Sequence, residues 1–133
     1  MAIGEVLNRG DIRGRFPCGN PARWFEDVHV RLAAEEALRL HDTNQVVGDR
    51  GYPHHYGNHD RIPIERNCNA DALQEFPLWN GGAPYSGAGP DLHRVLVNYV
   101  RNDRTGVNDV RVCGVMAHPT NGNGFRSCAW RRQ

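Results

Sequence analysis

The chain has 133 residues, a mass of 15.0 kDa and 39% hydrophobic residues, enough for one domain with one modest core and too little for two. Its net charge of +1 argues against the broad polycationic surface of a non-specific nucleic-acid binder, and no apolar run reaches membrane-spanning length. All 16 basic residues are arginine; there is no lysine.

The N-terminus, Met1-Ala-Ile-Gly-Glu-Val, lacks the charged and apolar regions of a signal peptide, so the chain reads as a secreted protein in mature form or one exported by another route. Residues 1–17 carry Arg9, Arg13 and Arg15 without a clear period and read as an N-terminal arm, extension or short hairpin; residues 18–133 read as a single domain. Four cysteines, Cys18, Cys68, Cys113 and Cys128, in a chain with 15 glycines and 8 prolines favour two disulfides and an oxidising compartment. Spacing leaves all three pairings open and lacks the close C-x2-C pairs of a zinc site.

The clearest helix spans about Val28 to His41. Val30, Ala33, Ala34, Ala37, Leu38 and His41 recur at helical spacing, Asp27 is placed to cap the start, and Arg31, Glu35 and Arg39 can pair along the solvated side. After the turn at Gly48–Gly51 the period changes to two. Strand-like runs follow over residues 74–79, 93–100, 110–118 and 125–130, separated by turns at Asn80-Gly-Gly, Ser86–Pro90 and Asn121–Gly124. One helix followed by short strands predicts an α+β fold, the helix packed on one face of a twisted antiparallel sheet.

Alternation sorts the faces. If Phe76, Leu78, Val95, Val97, Val115 and Ala117 cover the helix, the opposite face collects Glu75, Arg94 and His118, with Pro77 and Trp79. A carboxylate, a guanidinium and an imidazole on three strands suit acid–base catalysis at phosphorus. One group removes a proton, another gives one to the leaving oxygen, and the arginine stabilises transition-state charge; His54 can join as a second base or donor. His54, His55 and His59 also raise a metal site, but their segment is broken by Pro and Gly and has only Asp60 as a close acidic ligand. No metal or cofactor is expected.

Six segments in order carry a resemblance: Cys18-Gly-Asn20, Tyr52-Pro-His-His-Tyr-Gly-Asn58, Glu75-Phe-Pro, Pro90-x-x-x-Arg94-Val, Gly114-Val-Met-Ala-His118 and Asn123-Gly-Phe125-x-x-Cys128. From about Cys18 to Cys128 the chain resembles the small secreted guanyl-preferring ribonucleases of fungi, the family that includes the ribotoxins. The resemblance implies Glu75 as general base, His118 as general acid, His54 as support for that base, Arg94 and Tyr52 on the phosphate, and Phe125 beside it. It implies a guanine site of Tyr56, the main chain of Gly57, Asn58 and His59, the acidic Asp60 (shorter than the glutamate common there), and Asn123. It also implies disulfides Cys18–Cys128 and Cys68–Cys113. The implied reaction is metal-independent transesterification of single-stranded RNA to a 2′,3′-cyclic phosphate, then hydrolysis, by a secreted monomer. Two alternatives stand beside it: a ribotoxin-like cut in ribosomal RNA on the ribosome, or a catalytically silent effector that binds RNA or host proteins. A lysine-free chain with a short Asn80–Gly89 loop weakens the first, and retention of Glu75, Arg94, His118 and His54 together speaks against the second.

Overall fold

The computed structural model describes residues 4–89, 92–120 and 122–133; the readings made on Met1, Pro90 and Asn121 lie outside them. The described elements are β1 (Arg15–Cys18), β2 (Arg23–Glu26), α1 (Asp27–Asp42), β3 (His54–His55), β4 (Gln74–Pro77), β5 (His93–Asn102), β6 (Val107–Ala117) and β7 (Arg126–Ser127), with two short 3-10 turns. β1 and β2 form a hairpin, and the other strands form one antiparallel sheet in the order β3-β4-β5-β6-β7. The fold is α+β, as its pattern predicts.

α1 forms because Val30, Ala33, Ala34, Ala37 and Leu38 give it one apolar side, which is buried against Phe76, Val95, Val97 and Val115 of the sheet and Phe16 and Phe25 of the hairpin. Its ends differ from expectation. Glu26, not Asp27, holds the N-cap position, its amide donating to His29 Nδ1 at 2.9 Å; the Asp27 carboxylate accepts from the adjacent Val28 amide. Leu40 takes the buried place expected of His41, which is exposed and stacks on Tyr99 at 3.8 Å. Arg39 pairs with Glu36 one turn back, at 2.7 Å, instead of with Glu35.

The sheet departs from strict alternation at one place. Leu96 pairs with Gly114 but Val97 pairs with Val112, so β6 bulges at Cys113. The extra residue resets the phase: Val110, Val112, Val115 and Ala117 all turn to the helix side, while Cys113 turns to the other. There it joins Tyr56, Ile62, Leu73, Leu96 and Met116 in a second apolar cluster beneath the long β3–β4 connection. The face carrying Glu75 and Arg94 therefore also has a packing role along half its length. Trp79, expected opposite Phe76 and Leu78, packs with them on the helix-side core because β4 ends at Pro77.

The disulfides are Cys18–Cys128 and Cys68–Cys113. The first ties the hairpin to the C-terminal segment across a sequence separation of 110; the second ties the β3–β4 connection to the bulge across 45. Loop-closure entropy alone assigns about 5 kcal/mol of stabilisation to the first and about 4 kcal/mol to the second. Ahead of Cys18, Val6, Ile12 and Phe16 are buried in the main core, Leu7 and Glu5 bond to Val110, and the boundary at residue 17 falls inside β1.

Candidate active site

Strand register builds the centre of the site. His54 on β3 lies directly across from Glu75 on β4, and Arg94 on β5 lies across from Pro77, so the three side chains share the face away from α1. Glu75 is 8% exposed. Its Oε2 stands 3.2 Å from His54 Nε2 and its Oε1 3.4 Å from Arg94 Nε. Arg94, itself buried, donates from Nη2 to the Tyr52 hydroxyl at 3.2 Å and from Nη1 to the His93 carbonyl at 2.9 Å. Its guanidinium lies 5.3 Å from the Tyr52 ring centre and 5.7 Å from that of Phe125. Tyr52 stacks on His54 at 4.6 Å, and His54 Nδ1 lies 3.1 Å from the Arg50 carbonyl. The carboxylate is thus clamped by two basic groups, each oriented by an aromatic ring or a main-chain oxygen.

His118 follows the last residue of β6. Its Nδ1 lies 2.8 Å from the Pro119 carbonyl, a contact that makes Nδ1–H the donor and Nε2 the ring's acceptor. Phe125 links the parts of the site: His118 meets it edge-to-face at 5.4 Å, Tyr56 at 6.2 Å, and Arg94 lies over it. The sheet therefore brings together Glu75, His54, Arg94, Tyr52, Phe125 and His118.

The second part is the loop after β3. The Tyr56 hydroxyl donates to Asp60 Oδ2 at 2.7 Å, and His59 Nε2 lies 3.4 Å from the same oxygen. Burial, followed by the bond to Asp60, pushes the Tyr56 hydroxyl well above the ordinary tyrosine range, so it remains a donor throughout the neutral range. Asn58 takes a left-handed conformation (φ +53°) and spends its side chain inside the loop, accepting from the Ile62 amide at 2.7 Å and donating to the Ile62 carbonyl at 3.1 Å. Gly57 and His59 are exposed, while Tyr56 is only 2% exposed, with His59 tilted against it at 5.4 Å. Asn123 is exposed in the loop ahead of Phe125.

Two contributors have roles that a linear reading does not assign. A Cβ on Gly124 (φ +82°) would stand 2.7 Å from Asp60 Oδ1, so glycine is what lets the 122–125 loop close on Asp60. Tyr85, fully buried in the β4–β5 connection, packs edge-on against Tyr52 at 5.9 Å and Phe76 at 5.8 Å. An aromatic residue inside an otherwise Gly/Ser/Pro-rich loop was the available cue.

Residues 13–129 match the family described as ribonuclease. The chain belongs to that family. It is 31% identical over 113 residues to the extracellular guanyl-specific ribonuclease Fl1 of Gibberella baccata, covering 84% of this chain and 93% of the relative. It is 31% identical over 112 residues to the guanyl-specific ribonuclease Pc of Penicillium chrysogenum (84% and 94%), and 25% identical over 100 residues to the guanyl-specific ribonuclease Th1 of Trichoderma harzianum (74% and 84%). The match takes in both halves of the site, the strand-borne groups and the loop from Tyr56 to Asp60. In this ribonuclease the two halves meet at Phe125.

Proposed function

We propose that this ribonuclease is a secreted, guanyl-preferring endoribonuclease that cuts RNA on the 3′ side of guanosine. The observation that carries the chemistry is the Glu75 carboxylate held between His54 Nε2 and Arg94 Nε, with His118 packed on Phe125, the ring over which Arg94 lies. Glu75 takes the proton from the ribose 2′-OH as the 2′-oxygen bonds to phosphorus. The P–O5′ bond breaks, and His118 gives a proton to the departing 5′-oxygen. Arg94, fixed by Tyr52, meets the charge that grows on the non-bridging oxygens. In the second step His118 takes a proton from water as it attacks phosphorus, and Glu75 returns one to the 2′-oxygen. The nucleophile of the first step belongs to the substrate, so these residues need supply only proton transfer and charge stabilisation.

Guanine preference is assigned to the loop from Tyr56 to Asp60 together with Asn123. Asp60 is a carboxylate acceptor for the guanine N–H groups, and the main-chain amides of the exposed residues Gly57 and His59 are donors for its O6. A base reaches the Tyr56 ring once His59 moves aside. The guanyl-specific names of the relatives support the preference, and the two disulfides and the extracellular relative from Gibberella baccata support secretion.

The test is cleavage of GpN against ApN dinucleotides in EDTA by the oxidised protein. Cleavage of GpN alone, unaffected by chelator, is the expected result. Equal cleavage of both removes the guanine assignment, and no cleavage of either removes the enzyme.

A further inference from the structure

Beyond the scissile phosphate, we propose a subsite for the next phosphate of the leaving RNA strand, centred on Arg126; the inference rests on the ribonuclease reading above. A cavity of about 420 Å³ opens at the β7 edge of the sheet, lined by Gly19, Asn20, Ala117, Pro119, Arg126 and Ser127 beside the Cys18–Cys128 disulfide. That volume lies within the range of small-ligand sites.

Its position follows from the acid. His118 protonates the 5′-oxygen, so the departing strand leaves on the His118 side. Ala117 and Pro119, which line the cavity, are the chain neighbours of His118, each with its Cα about 3.8 Å from that of His118. Arg126 follows Phe125, the ring that packs against His118. Because Arg126 sits across from Ala117, whose side chain belongs to the helix-side core, the cavity lies around the edge from the catalytic face. The leaving strand therefore passes over β7 beyond the cut.

The chemistry is that of a phosphate. Arg126 is exposed and forms no ion pair with any described carboxylate, and no carboxylate lines the cavity among the described residues. Asn20 and Ser127 add neutral polar groups for ribose or base. The far wall is held by the Thr120 hydroxyl, which donates to the Asn20 carbonyl at 3.4 Å. It approaches the sheet because residue 19 is glycine: a Cβ there, at φ +92°, would stand 3.2 Å from Ala117 Cβ. A single guanidinium facing an open, acid-free cavity suits one backbone phosphate, held by a charge-assisted bond, with no reading of sequence.

The experiment compares GpN with GpNpNpN. In the wild type the longer substrate has the higher kcat/KM. Arg126→Gln lowers the ratio of long to short by about fivefold, and it reduces the salt slope for the long substrate by about 0.7, the value for one phosphate contact on a single strand. Arg126→Lys, which keeps the charge, retains most of both. The same increment is read as affinity, with oligonucleotides carrying 2′-deoxyguanosine at the cleavage position so that they cannot be cut. A ratio and slope unchanged in Arg126→Gln overturn the subsite while GpN cleavage stands. A length increment in affinity that depends on Arg126, without RNA cleavage, keeps the subsite and removes the catalytic reading instead.

Discussion

The two halves of the site are built differently. Glu75, His54 and Arg94 stand on neighbouring strands, where cross-strand register fixes their separations and every charged group already faces a partner of opposite character. The loop from Tyr56 to Asp60 is held mostly by short-range bonds, Tyr56 to Asp60 and Asn58 to Ile62, by the Tyr56 amide donating to the Leu73 carbonyl, and by one close approach at Gly124. A strand-borne cluster is preorganised for charge that develops in a transition state, whereas a self-satisfied loop must exchange its own bonds for those of a ligand. Catalysis and recognition should therefore fail separately when mutated.

The largest expected effect is on the strand side. His118→Gln removes the proposed proton donor, and cleavage of GpN is expected to fall about 10²–10⁴-fold with the thermal melt unchanged; a loss of fold with the loss of activity would place His118 among structural residues. On the loop side, Tyr56→Phe deletes the donor to Asp60. We expect the G-over-A preference to fall about tenfold, chiefly through KM, as for loss of a hydrogen bond to a charged group. An equal fall in kcat for both bases would join the halves that the structure separates.

The disulfide under the loop gives a smaller, graded probe. The double variant Cys68→Ala, Cys113→Ala frees the β3–β4 connection and should cost about 2–4 kcal/mol in urea unfolding, with KM rising more than kcat falls. The smallest effect is alkaline. Burial, then the charge of Asp42, raises the Tyr99 hydroxyl above its ordinary range. A raised acid binds its proton more tightly when folded, so its contribution is complete below about pH 10 and is lost as pH climbs toward the folded value. Tyr99→Phe should flatten that decline; an equally steep alkaline fall in the variant would exclude Tyr99 as its source.

Much of this architecture is legible in the sequence because burial on one side enforces a period. The helical spacing of Val30 to Leu38 and the alternation through Phe76, Val95 and Val115 follow from having one side to bury, and Glu75, Arg94 and His118 stand out because that period leaves them over. What stays hidden depends on contacts distant in the chain. The bulge at Cys113 resets the alternation only because a second cluster and a disulfide draw that residue to the far face. The burial of Tyr56 and the approach of Gly124 to Asp60 join segments more than sixty residues apart, and no local pattern encodes them. The helix start moved by one residue because His29 bonds the Glu26 amide, a side-chain choice that composition does not set.

The division of labour is tested most directly by steady-state kinetics of Glu75→Gln on GpN and ApN. With catalysis held on the strands, kcat for GpN falls about 10²–10³-fold while KM and the preference for guanine stay as in the wild type. A variant that keeps its kcat but binds GpN weakly, or no longer distinguishes guanine from adenine, would contradict the assignment of Glu75 and the separation of the two halves.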